Sequence, residues 1–215
     1  MDRLLGWVTA LGLLLGLGAG FLYAPPDAVQ GNVQRIMYLH VPSILTAYLA
    51  FGVVLVGSLA YLFSRRARWD RLARASAEVG LLFTGLTLVS GSIWGKPTWG
   101  TWWTWDARLT STALLFLIYV GYFLVRGMVD EPERAARFAA VVGIVGAIDI
   151  PIIHFSVQWW RTLHQPATLL RPQPPAMDPA MLLALLVNVG AYMLVYVYLA
   201  RGRLRLSRLE EGEPD

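Results

Sequence analysis

The sequence predicts an all-α integral membrane protein with six transmembrane helices, both termini cytoplasmic and a Trp-rich outer loop. Three observations carry that prediction. Only 15% of the 215 residues are charged and the mean hydropathy is +0.53, where a soluble domain carries about 25% charged residues. Six apolar runs approach or reach the length needed to cross a bilayer. The basic residues gather in short segments between alternate runs, so the net charge of +4 reads as membrane topology and not as a nucleic-acid surface. The chain reads as one membrane domain over 1–215.

The first run, Leu4–Tyr23, follows Arg3 but is too long for a signal-peptide core and has no A-x-A site after it. It is expected to remain as a spanning helix. Its Gly12, Gly16 and Gly20 form a doubled G-x-x-x-G, either a close-packing face or the ordinary glycine content of a membrane helix. The first outer loop, 24–40, opens with Pro25-Pro26-Asp27 as a turn. Its second half, Val29–His40, mixes apolar and polar residues like a short amphipathic helix on the surface. His40 ends the loop, and Pro42 suits the first turn of the second helix.

The second and third runs are Val41–Phe63 and Ala77–Trp94, and a second outer loop covers 95–106. The fourth and fifth runs are Ala107–Val125 and Phe138–His154. A third outer loop, 156–177, carries Trp159, Trp160, Arg161 and His164 and has a proline-rich, extended end. Asp178-Pro179 opens the last segment, Met181–Ala200. Thirteen of the 18 Lys and Arg residues fall on one side of this plan: Arg3, five between Arg65 and Arg74, Arg126, Arg134, Arg137 and four between Arg201 and Arg208. Arg35, Lys96, Arg108, Arg161 and Arg171 fall on the other. The positive-inside rule therefore places both termini in the cytoplasm and the Trp-rich loop outside. Asp149, beside Pro151 in the fifth run, is a candidate functional carboxylate. The expectation is that it partners an arginine or backbone freed by the proline. Glu78 is expected to pair with the adjacent arginine-rich segment.

There is no cysteine. That removes disulfides, thiolate metal sites, C-x-x-C redox pairs and the C-x-x-C-H attachment of a c-type haem. No phosphate-binding G-x-x-x-x-G-K-[ST] occurs, so any ATP-driven step belongs to a partner.

The segment Trp94–Arg108, W-G-K-P-T-W-G-T-W-W-T-W-D-A-R, holds Trp94, Trp99, Trp102, Trp103 and Trp105, five of the nine tryptophans. Gly95, Pro97 and Gly100 argue against a regular helix. One or two tryptophans here would be an interfacial belt. Five this close form a flat apolar platform with indole N–H donors at its edges. His40 and His164 lie in outer loops on the same side. An aromatic bed, a pair of neutral imidazoles and cations drawn from Arg35, Lys96, Arg108 and Arg161 are what haem requires, because its iron takes histidine nitrogens axially. Quinone and zinc compete as ligands. Zinc fits poorly, since two histidines without a cysteine or paired carboxylate leave a four-ligand site incomplete. His154 is a weaker ligand candidate.

The Trp94–Arg108 segment resembles the "WWD" signature of the haem-handling proteins of cytochrome c biogenesis, and among them it is most similar to the CcmC (haem exporter protein C) family. L-H-V-P-S at Leu39–Ser43 and S-V-Q-W-W-R-T-L-H-Q at Ser156–Gln165 agree, as do the six-helix plan and the length. The resemblance spans the whole chain and implies a multi-pass protein of the bacterial inner membrane with periplasmic functional loops. It implies haem b as transient cargo, with His40 and His164 as axial ligands of the iron and Trp94, Trp99, Trp102, Trp103, Trp105, Asp106 and Arg108 forming the rest of the site. It implies delivery to the haem chaperone CcmE, in a complex with the ABC transporter subunits CcmA and CcmB and the small subunit CcmD. No catalytic residue is expected. Asp106 and Arg108 are expected to order the platform. Two other readings stand beside this one: a structural membrane subunit that anchors the complex, and a cytochrome c haem lyase-like enzyme, for which the chain is short.

Overall fold

The computed structural model describes residues 2–165, 169, 172, 174–175 and 177–210. Arg171 and part of the proline-rich end of the third loop lie outside the described residues. Six helices are each long and apolar enough to span a membrane, and among the described residues there is no strand. They are α1 (Asp2–Gly18), α2 (Met37–Ser64), α3 (Ala67–Trp99), α4 (Ala107–Met128), α5 (Pro132–Trp159) and α6 (Pro179–Glu210). α1 runs on into one turn of π-helix at Ala19–Tyr23, and a 3-10 turn at Asn32–Ile36 leads into α2. The protein is an all-α, multi-pass membrane protein.

α3 and α6 extend furthest past their apolar runs. α3 starts ten residues before Ala77, so Arg68, Arg71 and Arg74 stand on its first turns and only Arg65 and Arg66 join it to α2. α6 continues ten residues beyond Ala200. An apolar run marks only the part of a helix that suits lipid, and an amphipathic or charged extension keeps the same backbone bonds. α3 also continues through Pro97 to Trp99, correcting the expectation of an irregular segment from Gly95 onward. A proline removes one helical N–H but leaves its own φ helical. The helix ends instead at Gly100, whose φ of 79° takes the left-handed conformation and lets its N–H reach the Lys96 carbonyl at 3.0 Å.

α2 lies at the centre, against α3, α5 and α6, while α4 packs on α5 and α1 packs on α6. The core is aromatic and glycine-lined. Phe51 of α2 stacks on Tyr119 of α4 with centroids 3.7 Å apart. A Cβ on Gly80 would stand 2.4 Å from Phe51, and one on Gly146 would stand 2.7 Å from Tyr119. Both glycines let a neighbouring helix approach a ring face. At the arginine-rich end, Arg126 of α4 bonds Asp70 of α3 and the Tyr122 hydroxyl. Glu78 pairs with Arg74, as expected, and also with Arg203 of α6.

The doubled G-x-x-x-G of α1 is used within the chain. Gly12 faces Ala191, and Gly16 faces Asn188 of α6. The buried Asn188 Nδ2 donates to the Gly16 carbonyl at 2.8 Å and to Ala184 O at 2.8 Å. The opposite face of α1, with Trp7 and Leu14, is exposed, as a lipid-facing surface would be. A Cβ on Gly16 would lie 2.7 Å from Asn188 Oδ1. Gly16→Ala should therefore cost about 1–3 kcal/mol. Adding Asn188→Ala should recover part of it, as read by thermal unfolding in detergent.

Candidate functional site

The end of the bundle that carries the tryptophans is built from the 24–36 connection outward. Asp27 Oδ1 accepts the N–H groups of Val29 and Gln30 at 2.8 and 2.7 Å, an Asx turn that delivers the chain to the 3-10 turn and then to α2. Arg35 turns away from the site, donating to the Gly20 carbonyl at 2.6 Å and to Asn32. Neither the amphipathic surface helix nor a loop position for His40 is found. His40 is the fourth residue of α2, and Pro42 falls in the second turn.

His40 faces α3. Its Nδ1 lies 3.1 Å from Ser90 Oγ. The Ser90 hydroxyl donates to the Leu86 carbonyl at 2.6 Å, so its oxygen accepts the His40 Nδ1–H and Nε2 keeps its lone pair. Gly91 makes room for the ring, since a Cβ there would stand 2.9 Å from His40 Cε1. Trp94 meets His40 edge-on at 5.7 Å, and its indole N–H donates to Gln30 Oε1 at 2.8 Å.

Asp106 gathers the other side. Its Oδ1 caps α4 by accepting the Leu109 N–H at 2.9 Å. Its Oδ2 accepts the Thr162 hydroxyl at 2.7 Å and faces His164 Nδ1 at 3.4 Å. Burial alone would push the Asp106 carboxyl up. The Leu109 N–H, Thr162 and His164 together outweigh burial and hold it below the usual carboxylate range. Burial pushes the His164 imidazole below its ordinary value, and the Asp106 carboxylate only partly opposes this. A neutral His164 thus donates Nδ1–H to a carboxylate and keeps Nε2 as a lone pair, the arrangement that orients a metal-binding histidine. Trp99 packs against the His164 ring at 4.6 Å.

Both histidines line one partly open cavity between α2, α3, α4 and α5. A smaller adjoining space shares His40, His164 and Arg108 and reaches Trp94. Among the described residues, Arg108 is the one Arg or Lys side chain on the cavity wall. It donates to the His154 carbonyl at 2.9 Å, and its buried Nε meets no hydrogen-bond partner. Lys96 is spent on the Gly100 carbonyl, and Arg161 is exposed.

The five tryptophans do not form one platform. Trp99 and Trp103 line the large cavity and Trp94 the smaller one. Trp102 and Trp105 point outward, 58% and 81% exposed, and line neither. A loop that turns at Gly100 and is pinned at Asp106 cannot aim all its rings one way. His154 is on the cavity wall with its ring against Phe155. Asp149 is buried, and its Oδ2 has no hydrogen-bond partner, against the pairing expected for it. Sequence reasoning missed Ser90, Gly91, Thr162, Gln30 and Tyr48. The small pair Ser90-Gly91, within a run of larger residues, was the only local sign of any of them.

Six membrane-spanning helices, and among them a largely apolar cavity with two imidazoles on its wall, define the class: a multi-pass membrane protein with an internal cavity toward one end of the bundle. The sequence profile of the family described as Heme exporter protein C matches residues 1–213. The chain is 45% identical over 206 residues to Heme exporter protein C of Bradyrhizobium diazoefficiens, covering 94% of this chain and 78% of that protein. It is 36% identical over 211 residues to the Haemophilus influenzae protein of the same name, covering 98% and 86%. It is 39% identical over 193 residues to that of Escherichia coli K12, covering 90% and 78%. The chain belongs to the CcmC, or Heme exporter protein C, family.

Asp106 acts as both a helix cap and an anchor for the 162–164 segment. Asp106→Ala should lower stability by about 0.5–2 kcal/mol and speed tryptic cleavage after Arg161. Asp106→Asn, which still caps, should keep the stability. Thermal unfolding and limited proteolysis read the two effects separately.

Proposed function

We propose that this protein holds haem b at the tryptophan end of the bundle and passes it on as cargo, as a haem-handling subunit of cytochrome c maturation and not as an enzyme. The observation that carries this reading is the pair of imidazoles on one cavity, each with Nδ1 engaged and Nε2 left with its lone pair free for a metal. Two neutral imidazoles suit the axial positions of haem iron, and with both filled there is no open position for oxygen chemistry. Trp99 and Trp103 offer faces and edges to a flat ring. Arg108, buried without a carboxylate partner in hydrogen-bond contact, suits a propionate, because a charge-assisted bond recovers the cost of its burial.

The name of the relatives, Heme exporter protein C, supports haem as the cargo. The uneven placing of arginine supports a cytoplasmic arginine end and a periplasmic tryptophan end in the bacterial inner membrane. The intended acceptor is the chaperone CcmE, and the assembly includes CcmA and CcmB, which supply ATP hydrolysis, with CcmD. The exposed Trp102 and Trp105 are then surface that the acceptor meets at the mouth of the site. Trp94 and Asp106 hold His40 and His164 in place.

Purified protein co-expressed with CcmE should show a Soret band with low-spin bis-imidazole features. His40→Ala and His164→Ala should each lose those features. Asp106→Asn should weaken haem binding by about 10–100-fold, the range for removing a partner that orients a metal ligand. An unchanged spectrum in both histidine variants would make the ligand assignment wrong. Arg108→Gln should weaken binding of haem but hardly that of its dimethyl ester. Equal loss for both ligands would take the propionate away from Arg108.

A further inference from the structure

The cavity does not stop at the histidines. Along α2 it is lined from His40 through Ile44 to Tyr48, a descent of about 12 Å at 1.5 Å per helical residue. Its inner end is closed. Beyond Tyr48 come Phe51 and Tyr119, both fully buried and stacked 3.7 Å apart. A ligand in the cavity has no path through that stack to the arginine end.

The side of the cavity is different. α3 and α4 touch near the middle of the bundle, where a Cβ on Gly85 would lie 3.4 Å from the Phe116 ring. Toward the tryptophan end, Leu88 and Ser92 follow on the Gly85 face of α3, and Leu109 stands on the Phe116 face of α4. In a close-packed seam these residues would meet one another. Here all three line the cavity, and none of them is fully buried. Beside them, Val89, Ile93 and Leu114 are exposed, the last two each by 50%. From the Gly85–Phe116 contact to the tryptophan end, the space between α3 and α4 is therefore cavity with an apolar rim.

We propose that this seam is a side door, through which the cargo slides from the bilayer leaflet at the tryptophan end into the histidine cavity. The inference rests on the haem reading above. A flat, largely apolar ring with two carboxylates partitions into a bilayer with its charged edge at the headgroups. A slit between two helices admits such a shape edge-on. Leu88 and Leu109 offer the ring no polar group to desolvate. Arg108, on the first turn of α4 beside Leu109, meets the carboxylate edge as it arrives. The cargo thus reaches its ligands without crossing the core of the protein.

The chain has no cysteine. Val89→Cys with Ala113→Cys therefore places single thiols on α3 and α4, neither on the cavity wall. A short, cleavable bis-thiosulfonate linker joins them as a clasp across the seam. The test compares loading of the clasped and cleaved protein in two settings. In nanodiscs, haem is dissolved in the bilayer. In lipid-free amphipol, haem is offered from water on albumin. The clasp should slow loading from the bilayer by about tenfold or more, a barrier rise of about 1.4 kcal/mol, while loading from water stays as it was. Cleavage should restore the bilayer rate. Equal bilayer rates with the clasp closed and open would overturn the side door. Equal slowing in both settings would also overturn it, since the seam would then be part of the binding site itself. If the cleaved protein bound haem from neither source, the haem reading would fail, and the door with it.

Discussion

The tryptophan end of this protein depends on one half-buried carboxylate. Asp106 ends the loop after α3, caps α4, holds Thr162 and faces His164. Burial of a carboxylate is costly unless donors offset it, and the donors around Asp106 come from two segments far apart in sequence. Satisfying Asp106 therefore fixes the first turn of α4, and with it Arg108, relative to the segment that carries His164. The aspartate acts on the cavity through its neighbours and does not stand on the cavity wall.

A second constraint sets the depth of the cavity. Glycines at 80 and 146 bring α2, α3, α4 and α5 together around the Phe51–Tyr119 stack. The bundle is thus sealed in its middle and at its arginine end, where Arg126 joins Asp70. The helices part only toward the tryptophans. An imidazole pair and a half-buried guanidinium lie on the cavity there, beside the apolar side chains of α3 and α4. A through-core route for a large ligand conflicts with the packing of the stack, whereas a lateral route uses space the packing already leaves.

Much of the site was legible in the chain. Histidines 40 and 164 and Arg108 stand out because ionisable side chains are scarce in and beside membrane spans and costly there without a purpose, and the WWD segment stands out by its density of tryptophan, beyond what an interfacial belt needs. The sorting among them was not legible. Arg35 and Lys96 were equal candidates with Arg108, yet of the three only Arg108 lines the cavity. Trp102 and Trp103 are adjacent, yet only Trp103 lines the cavity. Which way a loop side chain points follows from how the loop is pinned, and no local spacing encodes that.

The sequence by itself determined six apolar spans, the uneven distribution of arginine and the chemistry available at one end of the bundle. These follow from composition and periodicity, which act residue by residue. Tertiary structure alone decided that the Ser90 oxygen accepts the His40 Nδ1–H, that Gly91 leaves room for the ring, and that Gly12 and Gly16 serve α6. It also decided that α3 and α4 part above Gly85. Each of these is a contact, or a missing contact, between groups tens of residues apart in the chain. Such contacts exist only once the helices have packed, because the space left between helices depends on every side chain that fills the rest.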